Sequence, residues 1–399
     1  MKVLYIVNQF PCLSETFVYN QIKGLKELGH DVKVLAVYKG VKGEDEGVSY
    51  RFCESEKLPR IKQFGILLKS FSLAVLKCDP IIIEFFRLLV NFNLSAIVSL
   101  YLLREKINNY YDTECIIAHF GDCGYYAAIL KKYNIKGVKA IAIYHGYDMS
   151  VRKILKKWLP AYKRSFHSLD FLLPISELWK NKLISMGASQ KKIIVQHMGI
   201  NIDYFDYISE PCNELNVYSN KVTRILSTGR FVEKKGFKYI VSAMKYLPEC
   251  TLEIVGDGPL LTNILKFISD NNITNVTCVG ALKYNDVKHR LINCDIFCLP
   301  SVTADNGDME GIPVVLMEAM ACGKVVVTTR HSGIPELIED GVTGFLCDEK
   351  NVEDLVDKIK FIISLGSLKE EIAAKARKKV VNDFNNEMIY IALDKIIKS

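Results

Sequence analysis

Short apolar runs alternate with longer amphipathic stretches along almost the whole chain, and this rhythm limits the fold more than any other feature. A continuous apolar run followed by helical periodicity points to a parallel strand and a covering helix. In the first half the runs fall at 2–7, 31–37, Cys115–His119, 140–144 and Phe171–Pro174. In the second half they fall at 224–228, 251–255, 275–279, 295–299 and 325–328. Helical periodicity fills the gaps, as over 16–28 and 236–247. The charged stretch 43–62, with Gly43, Gly47 and Pro59, reads as a surface loop. The polar stretch 206–221, with Pro211, Asn213, Asn216, Ser219 and Asn220, reads as a linker. The expected architecture is α/β, with doubly wound domains at 1–205 and 222–380. The periodic tail from 372 to 397 predicts a terminal helix, 381–399, that packs back on the first domain. A length of 399 residues suits two domains, and a cleft between domains is a favoured ligand site.

Composition narrows the class. Hydrophobic residues make up 49% and charged residues 24%, enough apolar side chain for real cores. The first seven residues run straight into Asn8-Gln9-Phe10-Pro11, so the start reads as a core strand and not a targeting segment. The most apolar stretch, 88–103, contains Asn91, Asn93 and Ser95 and reads as a core helix, not a membrane span. The 12 cysteines show no C-x-x-C pair, so reduced, mostly buried thiols in a cytoplasmic protein are expected. Charge is uneven: residues up to 205 carry a net +11 and the rest −4, within a total of +7. A basic half suits an anionic partner. Arg152, Lys153, Lys156, Lys157, Lys163 and Arg164 flank Ile154, Leu155, Trp158 and Leu159, a basic amphipathic helix. Its cations suit an anionic membrane surface as well as plain solvent. Nucleic acid is not expected, because the basic half lacks interleaved aromatic platforms.

The chemistry concentrates near 310. A strand ends at Pro300, a loop rich in Asp, Asn and Gly follows, and a helix starts near Pro313 and stops at Gly323. The N–H groups of Gly311, Ile312, Pro313 and Val314 would form the helix start, save for Pro313, which has none. Such an N-terminus takes phosphate. Glu310 and Glu318 flank it, and an ionised carboxylate suits paired sugar hydroxyls. Glu318 lies in an otherwise apolar run, so it needs a partner.

The segment EGIPVVLMEAMACG resembles the E-x7-E hallmark of the retaining glycosyltransferases of family 4. Ser227-Thr228-Gly229-Arg230, followed by Lys235-Gly236, resembles the family's G-R-x4-K-G loop. The turn 256–259 and the segments 331–336 and 340–346 complete the pattern. The resemblance implies a GT-B fold of two Rossmann-like domains facing a central cleft. It implies Arg230 and Lys235 on the diphosphate, Glu310 on the transferred sugar and Glu318 on the ribose. The donor is then a UDP- or GDP-sugar, no metal or other cofactor is needed, and the acceptor is a glycan or lipid-linked oligosaccharide. Ser14-Glu15-Thr16-Phe17 is similar to a subgroup building bacterial exopolysaccharides such as colanic acid, where other members carry a glycine-rich turn. Ser14 serves equally as a helix cap. Tyr144-His145-Gly146-Tyr147-Asp148 resembles the family's H-G-x-D segment, which implies His145 on a sugar hydroxyl with Asp148 in support. His119 also ends a strand on the ligand-binding edge. A sugar-nucleotide epimerase of the same fold and a non-catalytic nucleotide-sugar binder are the competing readings.

Overall fold

The computed structural model describes residues 1–12, 15–40, 45–54, 58–91, 93–205 and 222–399. Contacts divide the chain into two units: Met1–His197 with Tyr390–Ser399, and Met198–Ile389. The expected linker, 206–221, lies outside the described residues. Residues 198–205 fall in the second unit, where Ile200, Ile202 and Phe205 join its core.

The first unit holds a six-stranded sheet: β1 (Lys2–Phe10), β2 (Asp31–Lys39), β3 (Ser49–Glu54), β4 (Cys115–His119), β5 (Lys139–Tyr144) and β6 (Phe171–Pro174). Every pairing is parallel, in the order β3-β2-β1-β4-β5-β6. The second holds β7 (Thr223–Thr228), β8 (Cys250–Val255), β9 (Val276–Gly280), β10 (Ile296–Leu299), β11 (Val325–Thr329) and β12 (Phe345–Cys347). Its order, β12-β11-β10-β7-β8-β9, is the same doubly wound pattern. The central strands are apolar on both faces because helices cover both. All of β4 and all of β11 are buried. Each fully buried Val, Leu, Ile or Phe contributes ~1.5–3 kcal/mol.

Three expectations need correction. The stretch 43–62 is not all loop: Ser49–Glu54 pairs with β2, and a helix begins at Arg60. An edge strand pairs on one side only and tolerates polar residues, which hid it. The apolar stretch 88–103 is not one helix but the helices Ile82–Val90 and Leu94–Ile107, broken at the asparagines 91 and 93. The tail is likewise two helices, Leu368–Asp383 and Asn386–Lys398. Between them Phe384 uses its carbonyl to accept the Ile200 N–H at 2.9 Å, which ties 198–200 to the second unit. In the first unit His30 Nε2 lies 2.7 Å from Asp394 Oδ1 and fixes the last helix.

Candidate functional site

In each sheet the strand order reverses at one point, between β1 and β4 and between β7 and β10. Loops at the carboxyl ends of such strands form the binding crevice. The described site residues read from the sequence fall at or beside these two points.

In the second unit, β7 leads into Gly229, Arg230 and Lys235, and β10 leads through 300–309 to Glu310. Gly236 lets these loops meet. Its φ is +68°, and a Cβ there would stand 1.8 Å from the Pro300 carbonyl oxygen. No other residue type fits so close a backbone. Gly256, after β8, makes the same approach to Gly229: its Cβ would lie 1.9 Å from that carbonyl. The result brings Lys235 Nζ to 3.2 Å from Glu310 Oε1. That contact is an ion pair off hydrogen-bond alignment, and Oε1 receives no aligned donor. Burial pushes the Glu310 carboxyl up, but the Lys235 and Lys234 ammoniums outweigh it and hold the pKa below the ordinary value. Glu310 is therefore buried and ionised. Lys234 is shared between two acids, its Nζ lying 3.2 Å from Asp308 Oδ1 and 4.0 Å from Glu310 Oε1. Arg230 is exposed and makes no ion pair among the described residues.

Glu310 is fixed from behind by residues to which the sequence reading gave no role. Its N–H donates to His331 Nε2 at 3.1 Å, and its carbonyl accepts from Ser332 Oγ at 2.7 Å. Since Nε2 accepts, Nδ1 carries the proton and donates to Glu349 Oε1 at 2.6 Å. Burial raises the Glu349 pKa, but the bonds from His331 and Thr303 outweigh it and keep the group ionised. His331 follows β11 and Glu349 follows β12, so two parallel neighbouring strands bring together residues far apart in sequence.

The helix Val314–Ala321 follows, and Gly323, at φ +69°, stops it. Pro313 is its N-cap, and the Gly311 and Ile312 N–H groups donate to no backbone carbonyl. Glu318 lies two turns in and is buried with Leu316, Met317, Ala319 and Met320. Burial raises its pKa from 4.5 to about 7, against a hydrogen bond from the Tyr284 hydroxyl at 3.0 Å. Tyr284 stacks on Tyr204 with centroids 4.8 Å apart. A groove of about 580 Å³ opens at the carboxyl ends of β7 and β8, lined by Gly229, Arg230, Gly256, Asp257, Ala281 and Leu282, among others.

In the first unit, β4 ends on His119 and β5 runs into His145. His119 Nε2 lies 3.1 Å from Gln21 Oε1, which also accepts the Tyr5 hydroxyl at 2.9 Å. An amide oxygen only accepts, so Nε2 of His119 carries its proton. Its Nδ1 then accepts from His145 Nε2, 2.9 Å away. Burial pushes the His119 pKa down to about 3, and burial together with His119 pushes that of His145 well below 6.5. Both rings are neutral, and Nδ1 of His145 is left as an acceptor. The half-buried His145 ring packs against Phe17 and Phe120, with centroids at 4.6 and 4.7 Å. Phe120 holds φ at +70°, rare for a bulky residue and common near ligand sites.

Asp148 braces this cluster. Its Oδ1 accepts the N–H groups of His145 and Gly146, each at 3.1 Å, and its Oδ2 that of Gly121 at 2.8 Å. It acts on His145 through the backbone. Burial lifts its pKa to about 7 even so. Glu15 is pushed up to about 7 by burial and by nearby Asp122, which Asn8 Nδ2 binds at 2.8 Å. Thr16 starts the first helix and is exposed. Ser14 lies outside the described residues. Gln21 carries no motif; only its position across from His119 marks it.

Comparison with known proteins agrees with this architecture. A family model described as Glycosyltransferase Family 4 matches residues 14–204, and one described as Glycosyl transferases group 1 matches 216–379. The amylovoran biosynthesis glycosyltransferase AmsK of Erwinia amylovora is 34% identical, over 100% of this chain and 99% of its own. A protein of Escherichia coli strain K12 named for colanic acid biosynthesis, the glycosyltransferase WcaL, is 33% identical over 100% of both chains. Among solved structures, Anabaena HepE in complex with UDP superposes with a TM-score of 0.74 at 17% identity, over 100% of both chains. That likeness is one of fold, and the fold is GT-B, with two Rossmann-like units. With full-length relatives at 33 and 34% identity, the chain belongs to the glycosyltransferases of family 4.

Proposed function

We propose that this glycosyltransferase takes its sugar from a UDP- or GDP-sugar, retains the anomeric configuration, and serves bacterial exopolysaccharide assembly. One observation carries the donor reading: a buried carboxylate, Glu310, kept ionised by Lys235 and set just before a helix N-terminus with free N–H groups. Arg230 and Lys235 take the diphosphate, with the 311–314 backbone beside them. Fixed cations there stabilise the leaving group as its charge develops, which is what a metal would otherwise do. Glu310 takes hydroxyls of the transferred sugar, and Glu318 takes the ribose once it is ionised. His145 is assigned a sugar hydroxyl, which donates to its Nδ1.

In the reaction the bond from the anomeric carbon to the phosphate oxygen breaks, and the acceptor oxygen bonds that carbon from the same face. The acceptor's hydroxyl proton passes to the leaving phosphate, so no protein base is needed. The acceptor is a glycan or a lipid-linked oligosaccharide. The names of AmsK and WcaL support the exopolysaccharide setting. The cations of the helix Arg152–Ser168 are exposed at 152, 153, 156, 157 and 163, which suits peripheral docking on an anionic membrane.

A thermal-shift screen of UDP- and GDP-sugars tests the donor, because a ligand that binds the native state raises its melting temperature. A rise with one nucleotide class is expected; no rise with any would sink the reading. Glu310→Gln keeps shape and loses charge, and kcat should fall about a hundredfold, the scale for one electrostatic contact to a transition state. Normal turnover by this variant would remove Glu310 from its role.

A further inference from the structure

The helix Arg60–Leu76 is apolar on both faces. Leu67, Ser70 and Ala74 are buried against the first unit. Its opposite face carries Ile61, Phe64, Leu68, Val75 and Leu76 in the open, with Ile61 88% and Leu76 78% exposed. The spacing is helical, so these side chains form one stripe. An apolar helix face is normally turned inward and covered. The next helix, Ile82–Val90, continues the surface with Ile83, Phe86, Leu89 and Val90, the last 75% exposed. Phe71 and Phe86 join the two, with ring centroids 5.1 Å apart. Leu94 extends the patch to the helix Leu94–Ile107. Isolated exposed apolar residues are ordinary; a contiguous surface of this kind marks an interface.

The charges around it have one sign. Arg60, Lys62, Lys69 and Lys77 are exposed along the first helix, and Arg87 on the second. The acids within 58–95 are Asp79 and Glu84. Asp79 is ion-paired with Arg104. Glu84 is buried, bound by Arg87 Nη1 at 2.6 Å and by the Tyr125 hydroxyl at 2.9 Å. Ser95, at the edge of the patch, accepts from Lys157 Nζ at 3.3 Å, so the basic helix Arg152–Ser168 adjoins it. A two-fold contact of this surface with a second copy would set these cations against themselves. An apolar stripe rimmed by cations fits the boundary between acyl chains and anionic headgroups. None of the described helices is long and apolar enough to cross a membrane, so the element lies in the interface.

We propose that the exposed faces of Arg60–Leu76 and Ile82–Val90 insert into the interface of an anionic lipid bilayer and anchor the first unit there. This rests on the peripheral reading of the basic helix and adds the apolar contact that the helix lacks, since Trp158, Tyr162 and Phe166 point into the protein core. It does not depend on the donor.

Flotation of the full chain with vesicles of three parts phosphatidylcholine to one part phosphatidylglycerol tests it, with pure phosphatidylcholine vesicles alongside. The parent protein is expected to float with the anionic vesicles and not with the neutral ones. Leu68→Glu with Phe86→Glu should weaken that binding about tenfold or more, since charge cannot enter the acyl boundary. Lys62→Glu with Lys69→Glu, a second variant at exposed positions, should weaken it and reduce its sensitivity to salt. Undiminished binding by both variants would overturn the patch while leaving the basic helix as the docking element. No binding by the parent would overturn both. A parent dimer that the first variant turns into a monomer would make the surface a contact between copies and overturn the lipid assignment.

Discussion

Replacing Glu318 with Gln should make the protein without ligand more stable, and increasingly so as pH rises. Glu318 is buried, and its pKa is raised from 4.5 to about 7. The folded chain keeps a proton on it between those values, while the unfolded chain has lost it. Stability contributed by the neutral acid is therefore full below 4.5 and is lost as pH rises towards 7. A pKa displacement of one is worth about 1.4 kcal/mol, so above 7 the buried charge costs ~3 kcal/mol. Glutamine has the same shape, keeps an acceptor for the Tyr284 hydroxyl and carries no charge. The gap in stability between variant and parent should be ~2 kcal/mol wider near pH 8 than near pH 5. Urea unfolding of both proteins at the two pH values measures it. In melting temperature the widening is ~4–8 °C for a unit of this size. A gap that does not change with pH, or that shrinks, would refute the reasoning. Nucleotide affinity should move the other way, weaker in the variant, because a carboxylate kept at a stability cost is kept for its ligand.

Two further outcomes follow from single contacts. Asp148→Ala leaves the N–H groups of Gly121, His145 and Gly146 without their acceptor, at ~1–3 kcal/mol for each buried group left unpaired. Urea unfolding should show a loss of ~3 kcal/mol or more, and a loss under ~1 kcal/mol would dismiss the brace. Gly236→Ala sets a methyl against the Pro300 carbonyl at a positive φ, so the loop after β7 must move and carry Lys235 from Glu310. We expect a loss of ~1–3 kcal/mol and a clear fall in nucleotide affinity by calorimetry, and unchanged affinity would separate Lys235 from the phosphate.

Much of this was legible in residues 1–399 as text. All ten apolar runs became strands, because a strand covered on both faces must be apolar throughout. The strands it missed were β3 and β12. β3 is half-exposed and polar, and β12 is only three residues long. The helix ends at Val90 and Asp383 were missed because apolar periodicity continues beyond both. Glu318 stood out as an acid in an apolar run and Glu310 by its place before a helix start, while Arg230 and Lys235 came from the resemblance to family 4. Glu349 and Gln21 had no such local signal, and His331 showed only as the first residue of the 331–336 segment.

The sequence by itself determined two parallel sheets, ten of their twelve strands, and the loops that carry charge. Those follow from hydrophobic period and turn chemistry, which act over a few residues. Only the tertiary structure decided how Lys235 meets Glu310, which nitrogen of His145 is free, and that Glu318 is an acid near neutrality. Each of these depends on burial or on a partner brought in from a distant strand. The same holds for the helix Arg60–Leu76: its apolar residues are plain in the sequence, but packing decided which of them face inward and which remain uncovered.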